Sequence, residues 1–68
     1  MIPMPVVNNL RKFRENMDLK QSDVSTAVMT SPNTISRYEI GKQCPTLEMA
    51  LRLSDYYGKT VNELFQIK

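Results

Sequence analysis

The chemistry open to this chain comes from a short inventory. Its 68 residues include no histidine and one cysteine, Cys44. A histidine-based nucleophile pair and a Cys/His metal site are both excluded. The two glycines, Gly41 and Gly58, stand too far apart for a phosphate-cradling loop. No catalysis, metal or cofactor is therefore expected. What remains is recognition chemistry, concentrated between Thr30 and Gly41. On a helical period Ile35 and Tyr38 share one face, while Asn33, Ser36 and Arg37 share the other. Asparagine can make two hydrogen bonds to adenine, and arginine two to guanine. The same residue types also make an ordinary solvated face, so the surrounding elements have to decide between the two.

Two charges fall on faces that should be apolar. Arg14 sits inside the stripe made by Leu10, Phe13 and Met17, and Glu39 lies beside Ile35 and Tyr38. An unpaired buried charge is costly, so the two are expected to pair. The alternative is that Arg14 snorkels past the core edge.

The elements that must position these groups are short. Residues 1–5 (Met-Ile-Pro-Met-Pro) read as an extended arm, because a residue before proline avoids the helical region. The rest, 6–68, reads as a single domain. Val6, Leu10, Phe13 and Met17 predict a first helix that starts at Val6. A break over 16–20 precedes a second helix over 21–28. Ser31 can cap a third helix with Pro32 at its first position, running to about Ile40 and stopping at Gly41. Thr46 can cap a fourth, with Leu47, Ala50, Leu51, Ser54 and Tyr57 inward and Gly58 at its end. Thr60 and Glu63 fit a capping box for a fifth. Nothing alternates with period two, so no strand is expected. The fold class is all-α, a compact five-helix bundle. Phe65 and Ile67 can either close the core or form a seam between copies. Met17, Met29 and Met49 read as core or turn filler, and nothing in the sequence buries Met1 or Met4.

Composition narrows the setting. Apolar residues make up 41% and charged residues 24%, enough for one small core. The net charge of +2 lies in residues 1–44, which hold six cations against four anions; residues 45–68 balance. An anion-binding face should therefore lie in the first two-thirds. A lone cysteine fits a reducing compartment. No apolar run approaches the roughly 20 residues of a spanning helix, so no membrane partner and a cytoplasmic location are expected.

The ordered set Leu10-x-x-x-Arg14, Leu19-Lys20-Gln21-x-x-Val24, Ile35-Ser36-x-Tyr38-Glu39-x-Gly41, Pro45-Thr46-Leu47-Glu48 and Gly58-x-x-Val61-x-Glu63-Leu64 resembles the Cro/phage-repressor (Xre-like) helix-turn-helix family. The resemblance implies a lambda-repressor-like DNA-binding domain whose second and third helices form the reading unit. It implies that Ser31, Pro32, Asn33, Ser36 and Arg37 face the major groove, and that Gln21, Lys42 and Gln43 meet phosphate. It assigns Arg14 and Glu39 to a structural ion pair, in agreement with the face argument. The implied partner is a double-stranded DNA operator, bound by a weak homodimer, by copies that pair on DNA, or together with a partner phage repressor. The functional expectation is a small Cro-like repressor of a temperate-phage switch, working at the host nucleoid. The alternatives are an antirepressor of the modulator-of-repression kind, which binds an opposing repressor, and an antitoxin-like partner of a small toxin. Three positions depart from the family's pattern. Met29 stands where the family's turn usually has glycine, Ser25 where it has alanine, and Pro32 where a polar base-reader is common.

Overall fold

Hydroxyl groups start three of the helices. Ser31 Oγ accepts the Thr34 N–H at 3.2 Å, Thr46 Oγ1 the Met49 N–H at 3.2 Å, and Thr60 Oγ1 the Glu63 N–H at 3.1 Å. Each bond satisfies a donor that a first helical turn leaves orphaned. Glu63 accepts the Thr60 N–H in return at 2.9 Å, which completes the capping box. Hydrogen bonds from the Thr60 backbone and hydroxyl hold the Glu63 carboxyl below its ordinary pKa.

The structure, a computed structural model, describes residues 6–67. The chain order is β1 (Val6–Asn8), α1 (Leu10–Asn16), α2 (Gln21–Ala27), α3 (Pro32–Glu39), α4 (Leu47–Tyr57), α5 (Val61–Leu64) and β2 (Phe65–Ile67). The arm at residues 1–5 and Lys68 lie outside the described residues.

The five helices are present, but the molecule is not purely α. β1 and β2 form a two-stranded antiparallel sheet with Val6 opposite Ile67, Val7 opposite Gln66 and Asn8 opposite Phe65. The first helix therefore starts at Leu10 and not at Val6. Val6 and Val7 are β-branched and prefer a pleated backbone. Asn8 then ends the strand with its side chain. Its Oδ1 accepts the Leu10 N–H at 3.1 Å, and its Nδ2 donates to the Tyr38 carbonyl at 2.8 Å. The Asn9 N–H bonds the Leu64 carbonyl at 2.9 Å, joining the start of α1 to the end of α5. Val6 and Leu10 keep the i, i+4 spacing that mimics a helix, but they lie on different elements.

The core gathers Leu10, Val24, Val28, Ile35, Tyr38, Leu53, Tyr57 and Leu64. Phe13, Leu19, Met49, Tyr56 and Phe65 pack against it. α4 is rotated from its expected inward face. Ala50, Leu53 and Tyr57 are buried, whereas Leu47 and Leu51 are 75% and 54% exposed. Leu53 sits three residues beyond Ala50 and four before Tyr57, so these three make one helical stripe. Phe65 closes the core edge and Ile67 stays exposed. Met49 is core filler, and Met29 is a turn residue with an exposed side chain.

Candidate nucleic-acid interface

α2 and α3 pack through Val24 of α2 and Val28, which caps its C-terminal end, against Ile35 and Tyr38 of α3, all buried in one cluster. The bend between them is tightly bonded. The Thr30 N–H reaches back to the Ser25 carbonyl at 2.8 Å, and Met29 adopts φ +65°. A left-handed residue is what a helix-ending turn requires, and methionine takes that conformation here despite its Cβ. The Met29 side chain is 78% exposed, so it contributes little packing in return. α4 supports the bend from outside: Arg52 Nη1 donates to the Val28 carbonyl at 3.3 Å, and its Nη2 pairs with Glu48 at 2.5 Å.

α3 then lies with Ile35 and Tyr38 inward and its other face outward. Asn33 and Arg37 are exposed, and their side chains bond no other side chain among the described residues. Spaced by four residues, they lie on adjacent turns of one face. Ser36 is half-buried on its flank. Ser31 and Pro32 are exposed at the helix start, but the Ser31 hydroxyl is already engaged as the cap and with Thr34 Oγ1 at 2.9 Å. At the other end Gly41 turns with φ +80°, and the Lys42 and Gln43 N–H groups return to the Arg37 carbonyl at 3.0 and 3.4 Å. Both side chains are exposed there. The structure thus collects Ser31, Pro32, Asn33, Arg37, Lys42 and Gln43 along one short helix and the turn that follows it.

Arg14 and Glu39 meet below this surface. Arg14 Nε donates to Glu39 Oε2 at 2.7 Å and its Nη2 to Oε1 at 3.1 Å, with side chains 13% and 2% exposed. Arg14 Nη1 also donates to the Leu19 carbonyl at 2.9 Å, which ties down the turn before α2. The hydrogen bond to Glu39 raises the guanidinium pKa above its ordinary value, against the opposing effect of burial. Gln21 joins the same carboxylate: its Nε2 donates to Glu39 Oε1 at 3.1 Å. The amide expected to meet phosphate is therefore also bound to the ion pair. Tyr57 lies near this charge pair. Its hydroxyl is buried without a hydrogen-bond partner among the described residues. Burial first, and the Glu39 charge second, push its pKa up to about 12.

Sequence reasoning misses the Gln21 bond, the Arg52 support and the Asn8 lock. Each joins residues distant in sequence through a side chain that, read alone, looks like surface. Among the described residues no cluster of acidic, cysteine or histidine side chains could hold a metal. No helix there is long and apolar enough to cross a membrane.

Two short helices joined by a tight left-handed bend, with one polar outward face, define a helix-turn-helix protein. The chain belongs to the helix-turn-helix family, of the Cro/phage-repressor (Xre-like) kind, and the match covers residues 10–64. It is similar to RstR, the cryptic phage CTXphi transcriptional repressor of Vibrio cholerae, at 35% identity over 57 residues. That alignment covers 84% of this chain and 51% of RstR, so the chain spans about half of that relative's length. It is also similar to an uncharacterized HTH-type transcriptional regulator of Methanocaldococcus jannaschii, at 29% identity over 58 residues, covering 85% of this chain and 88% of the relative.

Proposed function

We propose that this chain is a sequence-specific DNA-binding transcription regulator, a Cro-like repressor that inserts α3 into the major groove. The observation that carries this reading is the outward face of α3, where Asn33 and Arg37 stand exposed and unengaged above buried Ile35 and Tyr38. Asparagine and arginine are the side chains that read adenine and guanine with paired hydrogen bonds. Lys42 and Gln43 at the end of the helix supply phosphate contacts, which set register without reading sequence. The likeness to a phage transcriptional repressor supports the same assignment. The protein works as a binder, without catalysis, on DNA in the cytoplasm.

Titration of a labelled duplex from the region upstream of its own coding sequence tests the reading at two salt concentrations. Tight binding that weakens steeply as salt rises is expected, because phosphate contacts release counterions. No binding at low salt overturns it. A second reading draws on exposed Ile40 and Leu47, apolar residues flanking the turn after α3. They suit an antirepressor that grips another repressor. That reading predicts a complex with the partner protein and no affinity for the duplex.

A further inference from the structure

The geometry points to Glu39 as a positioning residue for DNA contact: it holds the Gln21 amide so that one nitrogen bridges the buried carboxylate and a backbone phosphate. The inference rests on the DNA-binding reading and adds to it a residue that no duplex can touch. Glu39 has a side chain only 2% exposed, on the inner side of α3. Gln21 is the first residue of α2 and is half-buried, with part of its side chain open to solvent.

The argument starts from donors and acceptors. An ionised carboxylate only accepts hydrogen bonds, so Gln21 must present its nitrogen to Glu39 and not its carbonyl oxygen. That choice settles the amide orientation, which an unbound glutamine leaves open. The nitrogen carries two hydrogens. One is committed to Glu39 Oε1 at 3.1 Å, and the other bonds nothing among the described residues. A phosphate oxygen is likewise acceptor-only toward a protein side chain. The free hydrogen is therefore the group that can serve it, and the bond to Glu39 aims it before DNA arrives. Ordering a glutamine side chain on binding costs rotamer freedom; here part of that ordering is already present. Glu39 is itself immobilised by two bonds from Arg14. Pro32, at the first position of α3, offers no polar side-chain atom that could take over the role.

The pair of variants Gln21→Ala and Glu39→Asp, with their double mutant, tests this against an unrelated duplex of fixed length. An unrelated duplex suffices because a phosphate contact does not depend on sequence. Glu39→Asp keeps the charge for Arg14 but draws the carboxylate back by one methylene. Thermal melts establish that each variant is folded at the assay temperature. Gln21→Ala should weaken binding by about tenfold, the loss of one hydrogen bond to a charged group. Glu39→Asp should weaken it severalfold in the wild-type background and have no further effect in the Gln21→Ala background. A Glu39 that merely supports the fold would cost the same in both backgrounds, and that result overturns the inference. Should Glu39→Asp not fold, ¹⁵N relaxation of the Gln21 side-chain amide in the free wild-type protein decides. A rigid amide supports the inference, and one as mobile as that of exposed Gln43, whose side chain bonds nothing among the described residues, overturns it. Failure of the wild type to bind any duplex at low salt overturns both this inference and the DNA-binding reading. Wild-type binding with no coupling between the two positions overturns this inference alone.

Discussion

Glu39 accepts three hydrogen bonds while almost wholly buried, two from Arg14 and one from Gln21. Removing one partner of such a group leaves a charge unpaired inside the protein. Arg14→Met or Glu39→Gln alone should each destabilise by roughly 3–5 kcal/mol. The double change Arg14→Met with Glu39→Gln should cost well under the sum, since no charge is then stranded. Thermal melts of the three proteins check this, and additive losses would contradict it. Tyr57 behaves in the opposite sense. Its hydroxyl is buried without a partner, so Tyr57→Phe should be neutral or stabilising, by up to about 1–3 kcal/mol. Its pKa of about 12 also has a pH signature. The folded state resists ionising a phenol that the unfolded chain ionises near its ordinary value. The stabilisation from keeping Tyr57 neutral is complete below about pH 10 and is lost as pH climbs toward about 12. Alkaline melts should show this loss in the wild type and not in Tyr57→Phe. On the outward face of α3, Arg37→Ala and Asn33→Ala should leave the melt unchanged, because neither side chain is packed. Each should weaken specific binding by about 1–3 kcal/mol and relax preference at one base position. An Arg37→Ala protein that binds the operator like the wild type would remove α3 from the groove.

At the scale of elements, the bend between α2 and α3 carries an identifiable strain. Met29 holds φ +65° with its side chain in solvent, so it takes the conformational cost of a left-handed residue with little contact to offset it. Met29→Gly should therefore stabilise the domain by about 0.5–1 kcal/mol, despite the greater freedom glycine gives the unfolded chain. A domain of this size should then melt about 2–8 °C higher. An unchanged or lower melting temperature would mean that the bend is not strained. The elements also show which parts of the fold a sequence reveals. The helix starts at Ser31, Thr46 and Thr60 are legible because a cap is a local bond, written within four residues. The stops at Gly41 and Gly58 are legible for the same reason. β1 is not, because three residues are too few to display a period and Val6 happens to lie four before Leu10. Its partner β2 lies far along the chain, 57 residues on from Asn8 to Phe65 and 61 from Val6 to Ile67, and only the closed fold brings them together. The rotation of α4 is hidden likewise. Leu47, Leu51 and Leu53 are chemically alike, and which of them is buried depends on where α2 and α3 sit. In the candidate site, the outward placement of Asn33 and Arg37 follows from helical period alone. The bond from Gln21 to Glu39 does not, since it needs the packing of α2 against α3.

For the whole molecule the question is how one short helix selects a site. α3 has eight residues, so it is about 12 Å long and meets only a few base pairs. Each wrong base pair costs about 1–3 kcal/mol, and a genome offers about 10⁶–10⁹ competing sites. A few base pairs cannot supply that discrimination. Two reading helices on neighbouring half-sites about 34 Å apart, or a multiple of it, can. The functional unit should therefore be a pair, either two copies of this chain or one copy with a partner repressor. The described surface offers little with which to pair in free solution. Its exposed large apolar side chains come from separate elements. Ile67 and Val7 lie on opposite faces of the small sheet, because neighbouring register positions alternate, and Leu47 and Leu51 sit on α4. A stable specific interface usually buries more than about 1,000 Å², with about 20–30 residues a side, more than these few side chains supply. The free protein should be monomeric or weakly dimeric at micromolar concentration, with pairing completed on DNA or by the partner. Sedimentation velocity, alone and with a duplex holding both half-sites, measures this directly. A sharp two-to-one complex on that duplex, from a protein that sediments mostly as a monomer without it, is the expected result. A tight dimer in the absence of DNA would contradict the weak-interface argument. A single copy that saturates one half-site with full specificity would contradict the need for a pair.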